Sequence, residues 1–106
     1  YKLYFPTITL FSIKNMKGKQ KFLRFEDNKI CLTFDYVNNV KSKNFMREID
    51  KLCIKHDILP SIIKDSRLDK DTVRKCYKNF DEFKLRLNNY DKSRVYRSRT
   101  SVRLEI

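Results

Sequence analysis

Between Lys29 and Tyr36 the chain alternates cleanly. Ile30, Leu32, Phe34 and Tyr36 fall on one face of an extended segment, and Lys29, Cys31, Thr33 and Asp35 on the other. The spacing predicts a strand whose first face is core and whose second meets solvent or forms a pocket wall. Residues 7–14, TITLFSIK, are rich in β-branched and aromatic types and predict a second strand. The polar run NMKGKQK predicts a loop, and FLRF at 22–25 a short strand before the turn EDN.

The period then changes. Phe45, Ile49 and Leu52 recur at helical spacing, widened by Met46 and Cys53, and predict a helix over 43–56 that ends at His56 and Asp57. ILPSIIK, 58–64, predicts a strand, with Pro60 marking an edge or bulge near its start. Asp69 is a candidate N-cap for a short helix through Tyr77. Asn79 followed by Glu82 resembles a capping box for a helix carrying Phe80, Phe83, Leu87 and Tyr90. The tail VYRSRTSVRLEI predicts a short terminal helix. The expected class is α+β, a mainly antiparallel sheet covered by helices on one face, with no internal repeat and no flexible linker.

Length changes the picture little: 106 residues suit one small domain. The chain begins at Tyr1, which reads as a fragment or a processed chain. Six tyrosines and eight phenylalanines argue against disorder, and no apolar run approaches the roughly 20 residues of a membrane span. Charge matters more. A formal net charge of +12 favours anionic partners: nucleic acid, anionic lipid head groups or phosphorylated substrates. The same excess also fits a merely solvated lysine-rich surface. Three cysteines, Cys31, Cys53 and Cys76, cannot all pair within the chain and show no zinc spacing, which points to thiols in a reducing, cytoplasmic compartment.

Candidate chemistry is sparse. A single histidine and no nucleophile elbow disfavour a hydrolytic triad. His56 is read as a surface residue near a helix C-terminus, and Asp81 and Glu82 as acidic residues facing a helix N-terminus. Lone Gly18 cannot build a phosphate-cradling loop, and no cluster of metal ligands stands out. Tyr77, Tyr90 and Tyr96 interleave with basic residues, so a small basic nucleic-acid-binding or interaction module without enzymatic activity is one open reading. The other starts from Lys64, which ends an apolar run, and from Lys14, Lys29 and Cys31 on strand faces. If the strands share a sheet, these groups form a positive polar surface suited to an anion.

The elements ICLTFDY, the amphipathic helix, KDSRL at 64–68, Tyr77, FDEFKLRLNNYD at 80–91 and VYRSRTSVRLEI at 95–106 follow one another in a recognisable order. Together with LFSIKNMKGKQKFLRF they resemble the C-terminal substrate domain of FAD-linked oxidases of the vanillyl-alcohol oxidase type, nearest the decaprenylphosphoryl-ribose oxidase branch. The resemblance implies that residues 1–106 are part of such a domain and that the FAD-binding domain lies outside this chain. It implies oxidation of a secondary alcohol on a sugar or polyol, phosphorylated or lipid-linked sugars included, by hydride transfer to flavin. Lys64 would stabilise negative charge on the reduced ring and orient substrate. Lys14, Lys29 and Cys31 would line the substrate pocket, with Lys29 where that branch has asparagine. Ser61 stands where a tyrosine beside the flavin is usual. Asp65 and Arg67 are expected to form a local ion pair. Expected partners are an FAD-binding domain or chain and the sugar or polyol. Nucleic acid is disfavoured on this reading, and the basic surface is compatible with peripheral membrane association.

Overall fold

The computed structural model describes residues 5–18, 22–23 and 28–106. The order of elements is β1 (Ile8–Met16), β2 (Lys29–Tyr36), α1 (Val40–Lys55), α2 (Lys70–Cys76), α3 (Phe80–Tyr90) and α4 (Arg99–Leu104). The class is α+β, with one two-stranded antiparallel sheet and four helices among the described residues. The chain divides into two compact units. One holds β1, β2 and α1 as far as Leu52; the other holds Cys53–Ile106 and takes in Phe22.

In the first unit, β1 and β2 pair from Met16↔Lys29 through Lys14↔Cys31, Ile13↔Leu32 and Phe11↔Phe34 to Ile8↔Tyr36, with an irregularity between Ile8 and Leu10. Asn39 starts α1: its side-chain oxygen accepts the Ser42 amide hydrogen at 2.9 Å, satisfying one of the donors that a helix leaves orphaned. The Ser42 hydroxyl donates back to the Val37 carbonyl. Phe45 on α1 meets both Tyr36 and Phe5 edge-on, at 5.6 Å between centroids in each case.

The sheet overturns one expectation. The face carrying Ile30, Leu32 and Phe34 is not core. Ile30 is 71% exposed and Leu32 52% exposed, and Phe11 and Ile13 beside them are exposed too. Cys31 and Thr33, on the polar face, are half-buried. Alternation shows which side chains share a face; it does not show which face is covered. Among the described residues, the aromatic end of the apolar face finds cover where Tyr36 meets Phe45.

In the second unit Leu68, Val73, Phe80 and Leu104 are fully buried, with Cys53, Cys76 and Tyr77 nearly so. Burying each such apolar side chain is worth about 1.5–3 kcal/mol before the entropy of ordering it. Phe83 on α3 packs against Phe22 at 5.9 Å, and the Arg86 guanidinium lies over the same Phe22 ring.

Two local expectations fail here. Residues 58–64 form no strand. Asp57 adopts a left-handed backbone, φ 54°, and Ile58 donates its amide hydrogen to the Cys53 carbonyl, closing α1 in a Schellman motif. Pro60 and a turn at 62–64 follow. At α3 the Asn79 side chain makes no capping hydrogen bond, and Glu82 instead meets Arg86 one turn on. Of the short strand expected at 22–25, residues 22 and 23 form a bend and the other two lie outside the described residues. No described helix is long and apolar enough to cross a membrane.

Candidate functional site

The segment from Pro60 to Leu68 contains the Lys-Asp-Ser-Arg run, and it is irregular but firmly fastened. The Ser61 carbonyl accepts from the Asp65 amide at 2.9 Å, and the Ser61 hydroxyl oxygen accepts from the Lys64 amide at 3.3 Å. Asp65 works locally: one carboxylate oxygen accepts from the Arg67 amide, and the other meets the Arg67 guanidinium at 2.9 Å. That is the expected ion pair. Both side chains are partly buried, so the pair sits in a less screened setting than an open surface.

Two distant residues complete the anchoring. The Tyr77 hydroxyl donates to the Pro60 carbonyl at 2.6 Å. The Arg103 guanidinium donates to the Asp65 carbonyl at 3.0 Å and to the Ile62 carbonyl at 3.3 Å. The planar fork of arginine suits two neighbouring acceptors of this kind. Glu105, two residues further on, reaches Lys70 at the start of α2 at 2.7 Å. So the terminal Arg-Leu-Glu run clasps the turn with Arg103, fills the core with Leu104 and ties α2 with Glu105.

Lys64 lies in this clasped turn and not at a strand's end, which corrects the sequence reading. Its backbone is held on both sides, yet its side chain is exposed and its ammonium meets no carboxylate among the described residues. Ser61, expected beside a cofactor, is half-buried and shapes the turn by accepting the Lys64 amide hydrogen.

Lys14, Lys29 and Cys31 come together in the first unit. Lys14 and Cys31 are direct cross-strand partners, and Lys29 lies two residues from Cys31 on the same face. Directly opposed residues hold their Cβ atoms about 5 Å apart. Both lysines are exposed. The Cys31 sulfur is half-buried and lies 4.0 Å from the Thr33 hydroxyl. These three groups thus belong to the first unit, and Lys64 and Ser61 to the second.

His56 is an exposed residue in the turn after α1. Asp81 and Glu82 stand in the first turn of α3, and each takes an arginine, Arg74 and Arg86 respectively. Cys31, Cys53 and Cys76 carry thiols and not disulfides. No group of three or more metal-ligating side chains occurs among the described residues.

The residues that sequence pattern does not mark are Arg103 and Asp91. Asp91 is buried and accepts amide hydrogens from Val95 at 2.9 Å and Tyr96 at 2.8 Å, folding the chain between α3 and α4. A lone arginine in a basic tail and a lone aspartate after a helix give no local signal of such reach. Compared with protein-family models, curated proteins and solved structures, the chain matches none.

Proposed function

We propose that this chain is the C-terminal part of an FAD-dependent oxidoreductase that oxidises a secondary alcohol on a sugar or polyol, including phosphorylated or lipid-linked sugars. The observation that carries the reading is the clasped turn at 60–68. A charge that must stabilise another charge acts best when it is positioned in advance, without reorganisation at the moment of reaction. Lys64 has the first part of that character, an anchored backbone beside it, and its exposed side chain meets no carboxylate among the described residues that would neutralise it. Two of the runs that carry the resemblance hold each other, Arg103 to Asp65, and Tyr77 and Arg103 also reach Pro60 and Ile62 just before KDSRL.

An ammonium such as that of Lys64 would suit one edge of a flavin, and the described residues offer little else to FAD. With one glycine in the chain there is no glycine-rich loop to cradle a pyrophosphate, so FAD would be held mainly by a separate flavin-binding domain or chain. The flavin would supply the hydride acceptor. Lys64 would hold positive charge where negative charge develops and orient the substrate oxygen. In the first unit, taken by itself, Lys14 and Lys29 beside Cys31 hold two ammonium groups that would suit a phosphate. The apolar sheet face left in solvent is what a part of a larger enzyme would show. Three thiols suit a reducing, cytoplasmic compartment.

The test is co-expression with the flavin-binding segment, followed by absorption spectra. A yellow complex that bleaches with sugar, and fails to bleach as Lys64→Ala while keeping its flavin, supports the reading. A colourless chain under all such conditions contradicts it.

A further inference from the structure

The loop between α3 and α4, with Tyr90 and Arg99 at the helix ends that flank it, brings exposed apolar and basic side chains together in sequence. Tyr90 is 83% exposed, Val95 72% and Tyr96 74%. Among them stand Lys92, Arg94, Arg97 and Arg99, all exposed, with no ion pair among the described residues. The loop is built and not slack. Buried Asp91 gathers the Val95 and Tyr96 amides, its carbonyl accepts the Arg94 amide, and Arg94 takes a left-handed backbone at φ 53°. Downstream, Ser98 and Ser101 cap α4 reciprocally. Nothing in this folding uses the exposed side chains. Large apolar and aromatic groups held in water on an ordered loop mark an interaction surface.

The geometry points to an anionic phospholipid surface as the partner. Tyrosine favours the head-group level of a bilayer, where its ring meets the acyl boundary and its hydroxyl meets water. Basic side chains around it are drawn to the negative surface potential of anionic lipid. Val95 decides between this and single-stranded nucleic acid. An aliphatic side chain offers no ring for a base to stack on, whereas stacking on aromatic side chains is what such binding uses. It gains directly from leaving water at an acyl boundary. The contact would be peripheral, since no described helix can cross a membrane. The inference stands on these loop residues alone and does not depend on a flavin.

The chain has no tryptophan, so Tyr96→Trp gives a single reporter at an exposed position. In the full chain its emission should move to shorter wavelength with mixed phosphatidylcholine–phosphatidylserine vesicles and be quenched by brominated acyl chains. Pure phosphatidylcholine should leave it unchanged. Val95→Ser should weaken vesicle binding without changing net charge. Removing Arg94, Arg97 or Arg99 should cost about fivefold in affinity each. These side chains are exposed, and circular dichroism checks that each variant folds. Three results would overturn the proposal: no spectral shift, vesicle binding indifferent to Val95→Ser, or tight binding to a single-stranded oligonucleotide with none to vesicles.

Discussion

Tyr77 shows how much one side chain can organise. It is buried, and its hydroxyl donates to the Pro60 carbonyl. Burial, with smaller contributions from the nearby Cys76 and Cys53, pushes its phenol from 10.0 up to about 12. The folded state therefore holds this proton more tightly than the unfolded chain does. The stabilisation is complete below about 10 and is lost as pH rises toward about 12. Urea midpoints should fall across that window, and Tyr77→Phe should flatten the fall. At neutral pH the same substitution should cost about 1 kcal/mol, the net worth of one hydrogen bond. A midpoint in Tyr77→Phe unchanged at pH 7 would mean that the hydroxyl anchors nothing. Lys64 is the opposite kind of residue. Exposed and without an ion pair among the described residues, it should tolerate Lys64→Ala within about 0.5 kcal/mol, so any loss of activity in that variant is chemical and not structural. Arg103→Met should behave differently again. It strips donors from the Ile62 and Asp65 carbonyls and should weaken both the fold and the placing of Lys64, readable as faster amide exchange in the turn.

At the scale of elements, the helix ends carry the argument. Asp69 caps α2, and the Thr72 amide hydrogen bond holds its carboxyl below the ordinary aspartate range. The Lys70 hydrogen bond does the same for Glu105 at the end of α4. Groups held low contribute stability above their unfolded pKa values, 3.8 and 4.5, and lose it as pH falls through the folded values. Helical circular dichroism should therefore decline on the acid side, and Lys70→Gln should remove part of that dependence. Ser98→Ala should cost about 1 kcal/mol by breaking the α4 cap, measured as a lower urea midpoint.

The same elements show what the sequence can convey. Lys29–Tyr36 is legible because a period of two is a local property, and Asp69 is legible because a cap lies beside what it caps. ILPSIIK is not, because its apolar richness looks the same in a strand and in a turn fastened from afar by Tyr77 and Arg103. The α4 cap escapes notice because serine at the third helical position is a weaker signal than glutamate, which is why Asn79 and Glu82 look like the better box. Alternation alone puts Lys29 and Cys31 on one face; Lys14 joins them only through the register of β1 against β2, which alternation does not give. The clasp around Lys64 could not, since its two halves lie 38 residues apart in sequence.

The molecule as a whole combines an anchored helical unit with a hairpin whose apolar face stays wet. A two-stranded sheet is marginal by itself, and Ile13, Ile30 and Leu32 make a poor surface for a free-standing protein. Leu32→Lys should leave the urea midpoint nearly unchanged while reducing binding of a hydrophobic dye; a large destabilisation would mean that the face is covered after all. Lys64 in its clasped turn is the residue on which the proposed chemistry depends. The decisive experiment is anaerobic stopped-flow reduction of the complex proposed between this chain and a flavin-binding domain or chain, comparing Lys64→Ala with the unaltered chain at equal flavin occupancy. Lys64→Ala should slow flavin bleaching by sugar at least about a hundredfold, the scale seen when a charge-stabilising donor is removed, with no change in thermal midpoint. An unchanged bleaching rate would contradict it.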